Sequence, residues 1–188
     1  MEKIKKEVSK KTLLLVIIML ISVPALFVFF AYYLGIISQV KTQVLSQKFE
    51  VSAVVRAHPG DFNKIGKSLF YVKDLLKTKN IDCKPLLLFY NDDKKTVKPE
   101  RKSFGGCKVK SSNNKIISKI IAQNDKIELK KFLFKHSLLV KVSAIGPVAF
   151  QKAMAKLRVY CRDNKIKMKF PILQLYNKDS EFYFYMQL

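Results

Sequence analysis

The sequence predicts an α+β protein: two β-α-β-β repeats with an antiparallel sheet and helices on one face, preceded by one transmembrane helix. Three observations lead there. Residues 12–39 contain no charged side chain and are strongly apolar, although the chain holds 36 Lys and Arg among its 188 residues. Beyond that run, apolar residues recur at every second position, then at spacings of three and four, then in short continuous blocks, the periods of strand, helix and buried strand. Finally, the pattern occurs twice. Gly60 and Gly146, Pro85 and Pro171, and Tyr90 and Tyr176 are each 86 residues apart. A period that long, seen twice, describes one domain made of two similar halves rather than a solenoid.

Residues 1–11 form a basic flank with Lys3, Lys5, Lys6, Lys10 and Lys11. Residues 12–39 exceed the roughly 20 apolar residues that a helix needs to cross a bilayer. Pro24 lies inside this run, and membrane helices tolerate proline. Tyr32 and Tyr33 suit the membrane–water interface. A cleaved signal peptide is the rival reading. Its apolar core would run to about 15 residues at most and end at a small-residue cleavage site, and no clear site of that kind is present after the run. Lysines crowd the near side of the span, which keeps the N-terminus cytoplasmic and sends the domain to the far side of the membrane. Residues 40–47 read as a linker and residues 48–188 as the domain, long enough for a single core.

The first repeat covers about residues 48–111. Residues 49–56 alternate as a strand, with Phe49, Val51, Ala53 and Val55 on one side. His58-Pro59-Gly60-Asp61 is a turn, and Asp61 can cap the next helix. Phe62, Ile65, Leu69, Val72 and Leu76 then recur at helical spacing over residues 62–79. Residues 84–90 are a continuous apolar strand. A turn at 91–93 and a basic loop at 94–102 lead to a strand over 104–110. Residues 111–125 place Ile116, Ile117, Ile120 and Ile121 on one helical face and lead into a strand over 127–134. The second repeat covers about residues 128–188. It has a strand over 138–144, a turn at Gly146-Pro147 and a helix over 148–164 with the stripe Phe150, Met154, Leu157 and Cys161. A strand over 170–176, a turn over 177–180 and a strand over 181–188 complete it. The stripes are the expected core.

The formal net charge is +22, of which +4 falls in residues 1–47. Such a surplus suits an anionic partner. Only Arg56, Arg101, Arg158 and Arg162 are arginines, however. Bidentate readout of bases and phosphates favours arginine over lysine, so the composition argues against specific nucleic-acid binding. Cys83, Cys107 and Cys161 form no CxxC pair and are not at metal-ligand spacing from His58 or His136. Their simplest reading is buried thiols; one disulfide with a thiol left over is the alternative. No metal and no cofactor are expected. Gly60 and the Gly66-Lys67-Ser68 run have five residues between the glycines where a phosphate loop needs four, and the run falls inside the helical stripe. No Gly-x-Ser-x-Gly nucleophile elbow is present.

At the helix entries stand Gly146-Pro147-Val148 and the looser Gly60-Asp61-Phe62. The strand from Pro85 to Tyr90 ends in Asn91-Asp92-Asp93, followed by Lys98-Pro99-Glu100-Arg101-Lys102 and Gly105-Gly106. In this order they resemble the GyrI-like, or bacterial effector-binding, domain, a family built from two SH2-like β-α-β-β repeats. The resemblance covers about residues 48–188. A membrane helix ahead of such a domain also resembles the arrangement of autophagy receptors of the endoplasmic reticulum.

The family resemblance implies a small-molecule site in the groove between the halves. Several members bind organic cations through the glutamate of a Glu-x-Tyr sequence on the late strand of the second half, and some relatives use it as a base in hydrolysis. Gln174-Leu175-Tyr176 stands at that place here. Glutamine supplies a dipole where glutamate supplies a charge, and it is no base. The expectation is a non-enzymatic domain holding an unidentified neutral or anionic small molecule, or a protein segment. Leu88, Tyr90, Gln174 and Tyr176 are the expected ligand-binding residues. They match pairwise at the 86-residue offset, and residues two apart share a sheet face. The alternative is a membrane-anchored adaptor that holds a protein or an anionic surface through its basic exterior.

Overall fold

The computed structural model describes residues 2–110, 113–177 and 181–188. The chain divides into two units, Met1–Ser38 and Gln39–Leu188. The first is a single helix, α1 (Glu2–Tyr33), with Pro24 inside it. Its stretch Thr12–Tyr33 contains an 18-residue window with a mean hydropathy of 3.0 and is 22 residues long. That is about 33 Å of helix, long and apolar enough to cross a bilayer. The helix stops at Tyr33 rather than continuing to residue 39. Gly35 takes a φ of 73°, and the Ile36 amide donates back to the Ala31 carbonyl at 2.9 Å. A glycine in the left-handed region with this return bond is a standard helix terminator.

The second unit contains β1 (Val40–Leu45), β2 (Phe49–Pro59), α2 (Gly66–Lys77), β3 (Lys84–Phe89), β4 (Lys102–Lys108), α3 (Asn114–Ala122), β5 (Glu128–Phe134), β6 (Ser137–Ser143), α4 (Gly146–Asp163), β7 (Ile172–Tyr176) and β8 (Glu181–Gln187). The eight strands form one antiparallel sheet in the order β1-β6-β8-β7-β3-β4-β2-β5. The expected repeats are β2-α2-β3-β4 and β6-α4-β7-β8, and they meet where β3 pairs with β7. A short 3-10 turn, Phe62–Lys64, precedes α2, and the Asp61 side chain accepts the Asn63 amide there. Gly146 and Pro147 open α4 itself rather than a preceding turn; proline fits the first helical turn, where its missing N–H costs nothing. Of the expected 177–180 turn, residues 178–180 lie outside the described residues, as do Ser111 and Ser112.

Residues 40–47 are not a linker. Val40–Leu45 pairs with β6 from Val40↔Val142 to Leu45↔Ser137. In the same way β5 pairs with β2, from Phe49↔Phe134 to Val55↔Glu128. Each half therefore begins with a strand that is handed to the other half: β1 precedes β2 but joins β6, and β5 precedes β6 but joins β2. The two halves are interlocked. β1 escaped detection because an edge strand with four of its six residues exposed shows no buried alternation.

All three helices of this unit pack on one face of the sheet. Under α4, Ala153, Met154 and Leu157 bury against Val140, Val142 and Phe184. Under α2 and α3, Val72, Leu76, Ile117 and Ile120 bury against Val54 and Cys107. Phe62, Phe89 and Phe150 form a further cluster that joins the one under α4 through Phe150, with the Phe89 and Phe150 ring centroids 4.5 Å apart. Each fully buried side chain of this size contributes roughly 1.5–3 kcal/mol. The approach of α2 to the sheet depends on Gly105, where a Cβ would lie 2.7 Å from the Leu69 amide nitrogen. Cys83 and Cys107 form a disulfide, and Cys161 is a buried free thiol. This replaces the reading of three thiols with the alternative.

The other face carries no helix among the described residues, yet Val51, Ala53, Val55, Leu86, Leu88 and Leu173 on it are buried. The sheet covers them itself by curling. Phe49 on β2 and Tyr185 on β8 are four strand steps apart, about 19 Å in a flat sheet, but their ring centroids are 4.8 Å apart. Phe49 also stacks on Phe134 of β5 at 4.9 Å. The interior of the curl is thus filled with apolar side chains.

Candidate functional site

The β3–β7 register decides where the expected site residues fall. Leu87 lies opposite Gln174, and Leu88 opposite Leu173. Directly opposed residues share a face, so Gln174 shares the helix-bearing face with Leu87, while Leu88 sits on the inside of the curl. Leu88 is fully buried there, and Tyr90 lies beyond it, its ring edge-on to Phe104 at 5.3 Å. The expected foursome is therefore split: Gln174 and Tyr176 belong together, and Leu88 and Tyr90 lie on the opposite face. An offset of 86 joins residues of opposite orientation, and one residue of slip in a strand turns every side chain over.

Gln174 and Tyr176 line a cleft of about 200 Å³ on the helix-bearing face, together with Leu69 of α2, Pro85 and Leu87 of β3 and Phe182 of β8. Both halves contribute to it. The cleft is apolar: no charged side chain is among the described lining residues. Tyr176 stands at the rim, 44 % exposed, with its ring 5.3 Å from that of Phe182. Gln174 is only 5 % exposed. Its Oε1 is buried and has no hydrogen-bond partner. Leaving a buried acceptor unpaired costs about 1–3 kcal/mol; this oxygen has almost no accessible surface, so a molecule in the cleft pairs with it only once the Gln174 side chain turns. Leu69, Leu87 and Phe182 went unnoticed as site residues because each fits an ordinary core stripe. Only the register reveals that they surround Gln174.

Chemically, the cleft can hold a small molecule and orient it through the Gln174 amide and the Tyr176 hydroxyl. Among the described lining residues no nucleophile stands beside a base, and the Gln174 amide is neither an acid nor a base at neutral pH. The inside of the curl is different. There Lys130 lies 4.3 Å above the Phe104 ring and 3.3 Å from Glu128. Burial, reinforced by the charge of Glu128, pushes the Tyr90 phenol above its ordinary value. Lys130 thus lies between the Glu128 carboxylate and the rings of Phe104 and Tyr90.

Two interlocked β-β-α-β-β halves closing one curled sheet define the class of this domain. Similarity to solved structures agrees with that class. The chain aligns with the cryo-EM structure of the EcmrR–DNA complex in EcmrR-RPo at a TM-score of 0.55 and 11 % identity, over 98 % of this chain and 71 % of that one. It aligns with the crystal structure of the EcmrR C-terminal domain at 0.53 and 12 %, over 80 % and 95 %. An uncharacterized conserved protein from Listeria innocua gives 0.51 and 10 %, over 78 % and 91 %. At these identities the similarity is one of fold. No family model matches the chain, and no curated protein does, autophagy receptors included.

Proposed function

We propose that the chain is a single-pass membrane protein presenting a non-enzymatic GyrI-like domain that binds a small neutral molecule in the cleft around Gln174. The observation that carries this reading is the unpartnered, buried Oε1 of Gln174, a residue that lines an apolar cleft. An amide, lactam or urea fits it, because each offers an N–H donor without a charge. A cation would be buried with no carboxylate beside it, and an anion with no cationic side chain beside it; both are costly in an apolar site. The volume, below the usual range of ligand pockets, limits the ligand to the size of a single substituted ring. The shared fold of the EcmrR C-terminal domain supports the GyrI-like reading.

The domain lies on the far side of the membrane from the N-terminus. The lysine flank favours that orientation, and the Cys83–Cys107 bond supports it, because disulfides persist in oxidising compartments and are rare in the cytosol. Thermal-shift measurements on the purified full chain with benzamide, benzoate and benzamidine test the ligand class. Stabilisation by benzamide above the other two is expected; stabilisation by the amidine or the carboxylate alone would refute it.

A further inference from the structure

We propose that a lysine-rimmed, apolar-floored trough at the C-terminal end of α4 docks on the phosphodiester headgroups of the bilayer that holds α1. Two adjoining cavities make the trough, of about 460 and 480 Å³, and Ile166 and Lys167 line both. Its rim carries Lys94, Lys95, Lys167 and Lys169. No acid among the described residues lies within ion-pair distance of these four. The nearby carboxylates are already engaged: Arg158 binds Asp92 at 2.6 Å and also binds Asp93, and Arg162 pairs with Asp163 at 3.0 Å.

Its floor is apolar and open to solvent, with Val159 37 % and Ile166 39 % exposed and Met168 beside them. Exposed apolar side chains under a lysine rim suit the boundary between headgroup and acyl chain, where lysine stems extend their charges to phosphate. A wholly polar polyanion would leave that floor unused. Reach is supplied by the chain itself. Six residues connect α1 to β1, at most about 22 Å when extended, so the anchored domain meets its own membrane at high effective concentration. Where the leaflet on the domain's own side carries anionic lipid, each lysine beside it raises partitioning roughly fivefold.

The docking rests on the membrane anchorage proposed above, and one experiment separates the two. The full chain is reconstituted in nanodiscs of phosphatidylcholine alone, or of phosphatidylcholine with phosphatidylglycerol, and amide hydrogen exchange is monitored at low and high salt. Expected is slower exchange over residues 92–95 and 159–169 in the anionic discs only, abolished at high salt. The double change Lys167→Glu with Lys169→Glu lowers that protection on the order of twentyfold or more, whereas Lys73→Glu with Lys77→Glu on α2 leaves it in place. Equal exchange in both discs overturns the docking while leaving the anchor standing. Equal loss from the α2 pair overturns the assignment to this trough in favour of diffuse attraction. Protection by inorganic phosphate in neutral discs as strong as that by anionic lipid overturns the lipid assignment. A chain that leaves the discs altogether overturns the anchorage and the docking together.

Discussion

Leu87 and Gln174 face each other across the β3–β7 pair, one residue from each half of the duplicated domain. By the 86-residue offset their counterparts are Leu173 and Leu88, which also face each other, with side chains on the other face of the sheet. Leu87 is apolar, whereas Gln174 brings an amide whose Oε1 has no partner. The seam therefore has a direction. A molecule lying on it meets a hydrocarbon wall on the β3 side and the Gln174 amide on the β7 side.

Replacing Gln174 with leucine removes the unpaired acceptor at similar volume. The ligand-free Gln174→Leu chain is expected to gain about 1 kcal/mol, since deleting an unsatisfied buried group relieves its desolvation cost. Gln174→Glu places a carboxyl group in a cleft without a cation and lowers stability at neutral pH. Denaturant midpoints of the three proteins check both signs.

Arg158 ties α4 to the loop after β3. Burial pushes the Asp92 carboxyl up, but the Arg158 hydrogen bond and charge, with the Lys94 amide, hold it below its ordinary value of 3.8. A carboxylate whose folded pKa is depressed contributes fully above its unfolded value and loses that contribution as pH falls through the folded one. The melting temperature is therefore expected to fall below about pH 4, and Arg158→Ala is expected to flatten that acid limb. The same change costs about 2 kcal/mol at pH 7, less than for a fully buried pair because the Arg158 side chain is 22 % exposed. Melting curves from pH 2 to 7 on both proteins are the measurement.

The two glycines of β4 are steric requirements. A Cβ on Gly106 would lie 2.1 Å from the Val54 carbonyl oxygen, and one on Gly105 would lie 2.7 Å from the Leu69 nitrogen, both backbone atoms. Gly105→Ala and Gly106→Ala each force α2 or β2 away and cost about 3 kcal/mol or more. Gly66→Ala, whose Cβ would meet only the Phe70 ring at 3.8 Å, is expected to stabilise the chain by a few tenths of a kcal/mol, less than in a helix interior because Gly66 is the first residue of α2. Opposite signs in urea denaturation support the packing; a shared sign contradicts it.

The disulfide closes a sequence separation of 24 residues, and losing it through Cys107→Ser costs roughly 3 kcal/mol. In protein isolated from its native membrane, alkylation without reductant is expected to label no cysteine until unfolding exposes Cys161, which is buried. Labelling of Cys83 and Cys107 in the native protein would contradict both the bond and an oxidising compartment.

Much of the fold was legible because its periods are strong: the Leu69-Val72-Leu76 and Met154-Leu157-Cys161 stripes and the blocks around Leu86 and Ile172 are core by pattern. β1 was not, since one hydrogen-bonded neighbour and exposed side chains leave no periodicity to detect. The candidate site was half legible. Tyr176 and Gln174 were found through the repeat, but the same repeat carried Leu88 and Tyr90 along with them. Helix entries and strand ends align at one offset, whereas the orientation of a strand depends on its parity, which only pairing sets.

The cleft is tested most directly by the affinity of benzamide for the full chain and for Gln174→Leu, measured by ligand-observed NMR. A probe of about nine non-hydrogen atoms is expected to bind on the order of millimolar. The expected result is binding to the wild-type chain that exceeds that of benzoate and benzamidine and weakens at least tenfold in Gln174→Leu (about 1.4 kcal/mol). Equal affinity for both proteins, or no binding by either, would contradict a neutral-ligand site at Gln174.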